Sequence, residues 1–564
     1  MSISANYPNL KTSLLLDFAN SQQLDPRVTF TRSTTAPYYD GKTSVLAEQN
    51  LLLQSNTFSN AAWVATSATI ASGVTDPAGG TTAFSMTATA GNATLYQTLT
   101  LTATAYTESI WIQRVTGTGT INLTLDGSTL SPVTITGSWA KYTYTATPSA
   151  GSRTIGIQIV TSGDAINIYG SQLENRSSAT ATNITTTSAI TNYIPQLLTA
   201  PINSPRFDFN PTTGESLGLL IEQSSTNIRT YSQDFTNGVW TGNRYSITAN
   251  TIIAPDGTQT ASKLVESTAT GAHYISTSAT VTTSTAYTQS IYLKSGERTK
   301  VQFYSQMTGT LQSCIIDLTT GAISSNTFGT TPTMTSVGNN WWRFALTETS
   351  TSISSGNILY VTLLDGSGSN SYTGNGYSGI YIWGAQLEAL AFPTSYIATT
   401  SAQVTRASDN ASMTGTNFSG WFNQGQGTIY CEGNPYALNG GSGNPMTFVA
   451  ISDNSTNNRI RITSNISTGG IFECANGGTS QFGLGTAITP NTFTKMAGSF
   501  ATNNSLFSQA GGTATTDTSC LIPTVTQMQI GNLLTGRELS GWIKKIAIYP
   551  QAVTSAQLQA LTGT

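Results

Sequence analysis

The chain has 564 residues, of which 23 are Lys or Arg, 26 are Asp or Glu and one is His, so its formal net charge is −3. At roughly 150 residues per domain, this length predicts about three or four domains. The cations form no basic run or stripe, which excludes nucleic-acid binding, since that activity needs a patch of Lys and Arg against phosphates. No apolar run approaches the roughly 20 residues that cross a bilayer, so no membrane partner is expected.

The composition favours strands over helices. Charged residues make up 9% of the chain, far below the roughly 25% that is usual for soluble domains. Threonine is abundant, and its branched Cβ suits a pleated strand. Glu, Lys and Arg, which favour helices, are scarce. The composition therefore predicts an all-β protein.

The start of the chain lacks the pattern of a secretory signal, because Leu14-Leu15-Leu16 is interrupted by Asp17 and only Lys11 precedes it. The cysteines are widely spaced and contain no Cys-x-x-Cys pair. We therefore predict reduced thiols in the core rather than a disulfide framework or a zinc site. These cysteines are Cys314, Cys431, Cys474 and Cys520.

Residues 1–49 form a predicted N-terminal lead-in. Apolar and β-branched residues at 14–18 and at 28–32 predict two short strands. Asp25-Pro26 between them is a turn signal. The lead-in is thus expected to be a pair of strands that precedes the first domain.

An internal repeat organises the middle of the chain. Four stretches recur in the same order, and the offset between the copies grows, so the second copy carries insertions. Such repetition predicts two copies of one domain. The matched pairs are 54–63 with 231–240, 105–111 with 286–292, Trp139 with Trp342, and 170–174 with 384–388.

Short Thr, Val, Ile and Tyr runs alternate with Gly, Asn and Ser turns at roughly 8–12-residue spacing, which is typical of a β-sandwich. We predict a first sandwich at 50–178 and a Ser/Thr-rich linker at 179–204. A strap and a second sandwich follow at 205–408. Residues 409–564 form the last unit, which ends in an alternating strand and a short capped helix.

Two segments resemble known families. Residues 205–223, running into Tyr-Ser-Gln-Asp-Phe and Trp240, are similar to a segment of large bacteriophage structural proteins of the tail-fibre or LamG-domain type. Residues 541–550 and the helix after them resemble the end of the concanavalin A-like (LamG or pentraxin) jelly roll. The resemblance implies tandem β-sandwich domains followed by a C-terminal concanavalin A-like jelly roll.

The same resemblance implies a structural protein of the virion, with other virion proteins and itself as partners, as a homo-oligomer and most often a trimer. Its expected function is multivalent attachment to a host cell-surface glycan, as in a tail fibre, without enzymatic activity. Two alternatives stay open. One is a capsid decoration or head-fibre protein, and the other is a tailspike-like depolymerase.

Tryptophan side chains are the candidate carbohydrate platforms, because flat rings stack on sugars. Trp341 is expected to be the most exposed, since alternation along a strand points it away from Trp342. Trp111 and Trp383 are further candidates, because Tyr stands at each position in the other copy. The alternative is that the tryptophans shared by both copies form a buried core.

Carboxylates and histidine offer little for catalysis. Glu174 and Glu388 each end a Gln-Leu-Glu motif and are expected to hydrogen-bond a neighbouring loop, because one acid per repeat does not make the pair that glycoside hydrolysis needs. His273 is expected in a surface loop, since no nucleophile elbow accompanies it.

Two loops are candidates for calcium, although no other cofactor is expected. Asp453 and Asp365 each stand in an Asp/Asn/Ser/Gly loop with the oxygen ligands that calcium takes. Neither loop has the spacing of an EF-hand. The alternative is that both are ordinary polar turns.

Overall fold

A computed structural model describes residues 10–563 apart from 352–356, 440–443, 466–468 and 535. The described residues form 45 strands and three short helices, and every strand pair is antiparallel. The predicted all-β class is therefore confirmed. No helix in this part of the chain is long and apolar enough to span a bilayer.

The described part of the N-terminal segment starts at Leu10, so residues 1–9 of the predicted lead-in lie outside it. Its strands do not form a sheet of their own, because each pairs with a strand from a distant part of the chain. The elements are β1 (Leu14–Asp17), α1 (Phe18–Ser21), β2 (Thr29–Thr31), β3 (Ala36–Tyr38) and β4 (Ser44–Asn50).

The first sandwich follows. Its strands are β5 (Val64–Thr66), β6 (Ala68–Val74), β7 (Ala83–Ala88), β8 (Ala93–Leu101), β9 (Tyr106–Thr116), β10 (Ile121–Thr124), β11 (Ser131–Val133), β12 (Ala140–Ala146), β13 (Gly151–Ile159) and β14 (Ala165–Glu174). They form two five-stranded sheets, β11-β10-β13-β8-β5 and β12-β9-β14-β7-β6. Inward-facing side chains such as Ile157 and Ile110, one from each sheet, pack into a single core.

A connecting region comes next. It contains β15 (Ile190–Pro195), β16 (Leu198–Ala200), β17 (Arg206–Phe209), β18 (Ser216–Ile221) and β19 (Ser225–Asn227). The prediction that 179–204 is an extended linker is wrong for its second half, because β15 pairs with β4 and β16 pairs with β3. Ile194 is fully buried there, so apolar burial holds this stretch in place.

The second sandwich has the strands β20 (Thr241–Asn243), β21 (Tyr245–Ile252), β22 (Ala261–Glu266), β23 (Thr270–Gly271), β24 (Tyr274–Ser278), β25 (Ala286–Ser295), β26 (Lys300–Ser305), β27 (Gln312–Asp317), β28 (Ala322–Ser324), β29 (Thr333–Ser336), β30 (Trp341–Thr349), β31 (Asn357–Leu363), β32 (Tyr372–Thr373) and β33 (Gly379–Glu388). Its two sheets run β20-β24-β31-β26-β27-β28 and β21-β22-β33-β25-β30-β29. The order repeats that of the first sandwich, with one strand, β28 or β29, added at an edge of each sheet.

The last unit contains β34 (Val404–Arg406), β35 (Asn410–Thr414), α2 (Thr416–Ser419), β36 (Gln426–Pro435), β37 (Thr447–Ser452), β38 (Arg459–Asn465), β39 (Gly469–Asn476), β40 (Thr479–Thr486), β41 (Thr494–Ala501), β42 (Ser505–Gln509), β43 (Thr515–Asp517), β44 (Gln527–Ile530), β45 (Gly541–Tyr549) and α3 (Ser555–Thr562). Thr554 and Gln557 form the capping box of α3. The unit is a third two-sheet sandwich, hereafter the C-terminal sandwich.

Strands from far upstream complete the C-terminal sandwich. One edge of β45 pairs with β1 near Ile548 and with β18 near Ile543, while its other edge pairs with β36. The hairpin of β17 and β18, hereafter the strap, thereby joins this sheet, and β2 joins the opposite sheet through β35. The boundaries predicted at 49 and 409 therefore cut across sheets, because the lead-in and the strap contribute strands to the last unit.

A buried network of charged side chains joins these distant segments. Asp409 accepts from Arg32 at 2.8 Å and also from Arg206, while Glu222 accepts from Arg206 at 2.6 Å. Arg406 lies 3.5 Å from Glu222. All five side chains are at most 2% exposed. The network links the N-terminal segment, the strap and the start of the C-terminal sandwich, because each supplies at least one of the charges.

Candidate functional site

Two of the predicted carbohydrate platforms are inside the protein. Trp341 and Trp383 are both fully buried, so the prediction that Trp341 is exposed is wrong. Its indole nitrogen donates to the Ile253 carbonyl oxygen at 3.2 Å. Both rings belong to a cluster in which the connecting region covers the outer face of the second sandwich, with Ile194 as one of its residues. Neither ring can stack on a sugar in this arrangement.

Trp111 is half-buried and lies between the two sandwiches. Its ring meets the ring of Tyr377 edge-on at 5.5 Å. Its indole nitrogen donates to Thr182 Oγ1 at 3.0 Å. One side of the ring is therefore engaged by the second sandwich, and we assign Trp111 to that contact.

The two calcium candidates lie in separate units, and both are engaged in local hydrogen bonds. Asp365 Oδ1 accepts from the Ser367 hydroxyl at 2.7 Å and from the Ser369 backbone N–H at 2.8 Å. Asp453 accepts from Ser455 and Asn458 within its own loop. No group of three or more His, Cys, Asp or Glu side chains with metal-binding geometry occurs in the described residues. Calcium binding stays a prediction.

The acids of the Gln-Leu-Glu motifs do hydrogen-bond neighbouring loops, as predicted. Glu174 accepts from the backbone N–H and the hydroxyl of Thr180 at 2.8 and 2.6 Å. Glu388 accepts from the same two groups of Thr394, at the equivalent place in the second sandwich. Both acids are fully buried, so they tie the last strand of each sandwich to the chain that follows.

His273 is fully buried, which contradicts the expected surface loop. Its Nδ1 lies 2.7 Å from the Arg244 carbonyl oxygen and its Nε2 lies 3.2 Å from the Tyr372 carbonyl oxygen. The ring also packs against Tyr372. His273 therefore joins the bend at Arg244 to β32 and is enclosed within the second sandwich.

The candidate site is a cavity of about 780 Å³ where four parts of the molecule meet. The N-terminal segment contributes Tyr38 and Tyr39, and the strap contributes residues between Asp208 and Leu220. The remaining wall comes from the second and C-terminal sandwiches. We call it the junction cavity. Its volume lies in the range of roughly 300–1,000 Å³ that is usual for ligand sites.

Aromatic rings form much of the wall of the junction cavity. Tyr436 and Trp542 meet edge-on at 4.8 Å, and Lys544 Nζ lies 4.1 Å from the centre of the Phe493 ring. These three rings are half-buried, so they retain surface that a ligand can contact. The aromatic lining comprises, among others, Tyr38, Phe209, Tyr292, Tyr436, Phe493 and Trp542.

Asp208 is the buried acid of the cavity wall. Its Oδ1 accepts from the Tyr39 backbone N–H and its Oδ2 from the Trp542 indole N–H, each at 2.8 Å. Burial raises the pKa of Asp208 to about 6, against the lowering effect of these hydrogen bonds. Opposite Asp208 on the strap, Gly218 has φ +84, and a Cβ there would meet the Ile543 carbonyl oxygen at 2.3 Å. Glycine is thus required for the strap to lie against β45.

Three buried polar atoms of the wall lack a hydrogen-bond partner in the described structure. They are Tyr39 Oη, Arg343 Nε and Asn434 Oδ1, and they come from three different segments. Asn434 as a residue is only 5% exposed. Buried polar groups are normally paired. All three atoms are closed off from the open space of the cavity, so they lie behind its surface rather than facing a ligand.

The sequence reasoning did not identify the junction cavity. Asp208 and Trp542 both stand in segments that the sequence singled out for resemblance, 205–223 and 541–550. The local signal for Asp208 is an acid between two Phe residues in a strand, a position where burial makes a charge costly. Its hydrogen-bond partners, however, come from segments far away in the sequence, and nothing in the local pattern identifies them.

Comparisons with known proteins leave the chain without an assigned family. No family model and no curated protein matches it. Among solved structures, a SAP-like pentraxin from Limulus polyphemus is 12% identical over 24% of this chain and 69% of its own, with a TM-score of 0.21. Mouse laminin α1 domains LG4-5 are 9% identical over 51% of this chain and 88% of their own, with a TM-score of 0.18. Trypanosoma rangeli sialidase is 8% identical over 98% of this chain and 97% of its own, with a TM-score of 0.22. Likenesses this weak carry no functional argument.

Proposed function

We propose that the chain is a non-enzymatic attachment protein of the phage tail-fibre type that binds a cell-surface glycan in the junction cavity. The observation that carries the proposal is the cavity wall itself, which combines half-buried aromatic rings with exposed polar side chains such as Asn491 and Thr335. The resemblance of 205–223 to phage structural proteins supports the setting on a virion.

A glycan suits this wall because a sugar has both an apolar face and a rim of hydroxyl groups. The rings of Phe493 and Trp542 offer apolar surface for stacking. The exposed wall residues Asn491 and Thr335 can exchange hydrogen bonds with these hydroxyl groups. A single site of this kind gives modest affinity, and several copies on one particle would raise it through effective concentration.

Binding without catalysis is favoured by the state of the acids in the wall. Both oxygens of Asp208 already accept hydrogen bonds from the protein. Glu215, the other acid of the wall, forms an ion pair of 2.6 Å with Lys544. General acid–base chemistry on a glycosidic bond needs a carboxyl group within reach of the substrate. Asp208 is instead engaged in joining the strap to β45, and Glu215, whose side chain is 62% exposed, lies in a surface ion pair.

The test measures binding of the purified, fluorescently labelled chain to bacterial cells, with free cell-wall glycans as competitors. Phe493→Ala removes one ring of the cavity and is expected to weaken binding by about tenfold, since stacked aromatic contacts contribute roughly 1 kcal/mol or more. Tyr193→Ala is the matched control, because Tyr193 is 58% exposed and lies outside the cavity wall. Thermal melting of both variants verifies that the fold is retained.

Saturable binding that glycans compete away, and that falls in Phe493→Ala alone, is the expected result. Retention on assembled capsids without binding to cells would overturn the proposal in favour of a decoration protein. Loss of polymer viscosity on incubation with the purified chain would overturn the non-enzymatic part and favour a depolymerase.

A further inference from the structure

We infer that the ligand of the junction cavity is an acidic glycan, and that Arg343 binds the carboxylate of one of its sugars. The inference rests on the proposed function and names the substrate class of the same site. It is carried by Arg343 itself, a cation in the cavity wall that forms no close ion pair with a carboxylate of the described residues.

The guanidinium of Arg343 is held in place by neutral groups. Arg343 stands on β30 and is half-buried. Its Nη2 donates to Ser290 Oγ at 3.0 Å and to the Thr394 carbonyl oxygen at 2.7 Å. The guanidinium carbon lies 5.5 Å from the centre of the Tyr292 ring, a distance at which the ring attracts a cation. Its orientation is therefore set before any ligand arrives.

Arg343 differs from the other arginines buried near the strap. Arg32, Arg206 and Arg406 each reach a carboxylate of the buried network. No carboxylate of the described residues lies within 4.0 Å of Arg343, and its Nε has no hydrogen-bond partner. A buried charge without a partner is costly. A carboxylate from the ligand would supply the close ion pair that Arg343 lacks among the described residues.

The acids around Arg343 have other partners. Asp208 and Glu215 in the cavity wall are engaged by Trp542 and Lys544, respectively. Burial acts to lower the pKa of Arg343. The negative potential of nearby tyrosines, Glu388 and Glu222 outweighs this effect, so the pKa of Arg343 is raised. Glu222 is itself paired with Arg206, and Glu388 with the Thr394 loop. Arg343 is thus the charge of the wall that remains available to a ligand.

An acidic sugar fits the rest of the wall better than a simple anion does. The guanidinium can donate a charge-assisted hydrogen bond to a carboxylate from Nη1, since Nη2 is already engaged by Ser290 and Thr394. Around it, the Tyr436 and Trp542 rings can contact the sugar face, and the exposed side chains of Asn491 and Thr335 can meet hydroxyl groups. The cavity of about 780 Å³ has room for more than one sugar unit.

The test compares each acidic sugar with its neutral counterpart on the full chain by isothermal titration calorimetry. The probes are trigalacturonate against its carboxyl-reduced form, and 3′-sialyllactose against lactose. At least one acidic probe is expected to bind about tenfold or more tightly than its neutral partner, since a hydrogen bond to a charged group contributes roughly 1.5–3 kcal/mol. Raising the salt concentration should weaken this preference only modestly, because the charge is half-buried.

Variants assign the preference to Arg343. Arg343→Gln should remove the difference between acidic and neutral sugars while neutral-sugar binding persists, and Arg343→Lys should retain part of it because the charge stays but the guanidinium held in place by Ser290 and Thr394 is lost. Arg153→Gln is the matched control, since Arg153 makes only local hydrogen bonds at Ser149 and Ala150. Thermal melting of each variant verifies folding.

The outcomes separate this inference from the proposed function. Equal affinity for acidic and neutral probes, or an acid preference that survives in Arg343→Gln, would overturn the role of Arg343 and leave glycan binding standing. Absence of binding to every acidic and neutral probe, together with no glycan-competed binding to cells, would overturn both.

Discussion

Trp542 in β45 donates its indole N–H to Asp208 Oδ2 at 2.8 Å, across 334 positions of the chain. The other oxygen of the same carboxylate accepts from the Tyr39 backbone N–H. The N-terminal segment, the strap and the final strand therefore converge on one buried acid, and the junction cavity opens beside it. The site exists only because these three segments meet.

The first prediction concerns the titration of Asp208. Because burial raises its pKa to about 6, the fluorescence of Trp542 is expected to change with a midpoint near pH 6 as the neighbouring carboxyl gains its charge. The contribution of Trp542 is isolated as the difference between the wild type and Trp542→Phe. Asp208→Asn should abolish the transition; a transition that persists in this variant would assign it to another group.

The second prediction concerns the buried charge network. Asp409→Asn is expected to lower the free energy of unfolding by about 3–5 kcal/mol, because it removes a charge that Arg32 and Arg206 share and leaves them buried without it. Urea unfolding measures the loss. Asp234→Asn is the control, since Asp234 is exposed and bonds only within its turn. A loss below about 1 kcal/mol would show that water reaches the network.

The third prediction concerns Glu108 in the core of the first sandwich. Glu108 is fully buried, and burial raises its pKa well above the ordinary value of 4.5 against the lowering effect of a backbone hydrogen bond from Thr124. The folded chain therefore keeps a proton that the unfolded chain releases, so stability falls as the pH rises above about 4.5. Glu108→Gln should flatten this decline.

The equivalent position in the second sandwich is already a glutamine, Gln289, which accepts from Arg229 at 3.0 Å. Differential scanning calorimetry between pH 4 and 8 measures the effect of Glu108→Gln, with Asp234→Asn as an exposed control. An unchanged slope in Glu108→Gln would mean that Glu108 is ionised and hydrated in the folded protein.

The fourth prediction separates core tryptophans from ligand contacts. Trp341→Ala is expected to lower the free energy of unfolding by about 3–5 kcal/mol, because it removes a fully buried ring. The glycan affinity of the remaining folded protein should stay the same, in contrast to Phe493→Ala. Unfolding by urea and calorimetric binding on the same samples provide both readings. Loss of affinity without loss of stability would restore Trp341 as a ligand contact.

The repeat in the sequence does predict equivalent details of the two sandwiches. The indole nitrogen of Trp63 donates to the Gln54 carbonyl oxygen at 2.9 Å, and that of Trp240 donates to the Tyr231 carbonyl oxygen at 3.0 Å. Both rings are buried. The interpretation that tryptophans shared by the copies form a common core is confirmed for this pair, because the contact spans only nine residues and lies within one repeated stretch.

The prediction that Trp341 is exposed is wrong because a distant segment of the chain covers its face of the sheet. Alternation along β30 does place Trp341 and Trp342 on opposite faces, and the Trp342 indole N–H reaches the Leu318 carbonyl oxygen on one of them. The other face is covered by the connecting region that includes Ile194. Local periodicity assigns a side chain to a face of a sheet, but it does not say which distant segment covers that face.

The sequence alone determined the all-β class, the duplicated sandwich and the equivalent buried pair Trp63 and Trp240. These features depend on strand propensity and on contacts within one repeated unit. The junction cavity, with Asp208, Arg343 and Asn434 in its wall, was decided only by the tertiary structure. A strand edge presents the same backbone groups to any partner, so nothing local indicates that β1 and β18 both pair with β45. Long-range strand pairing of this kind brings together residues whose proximity cannot be predicted from the local sequence around either of them.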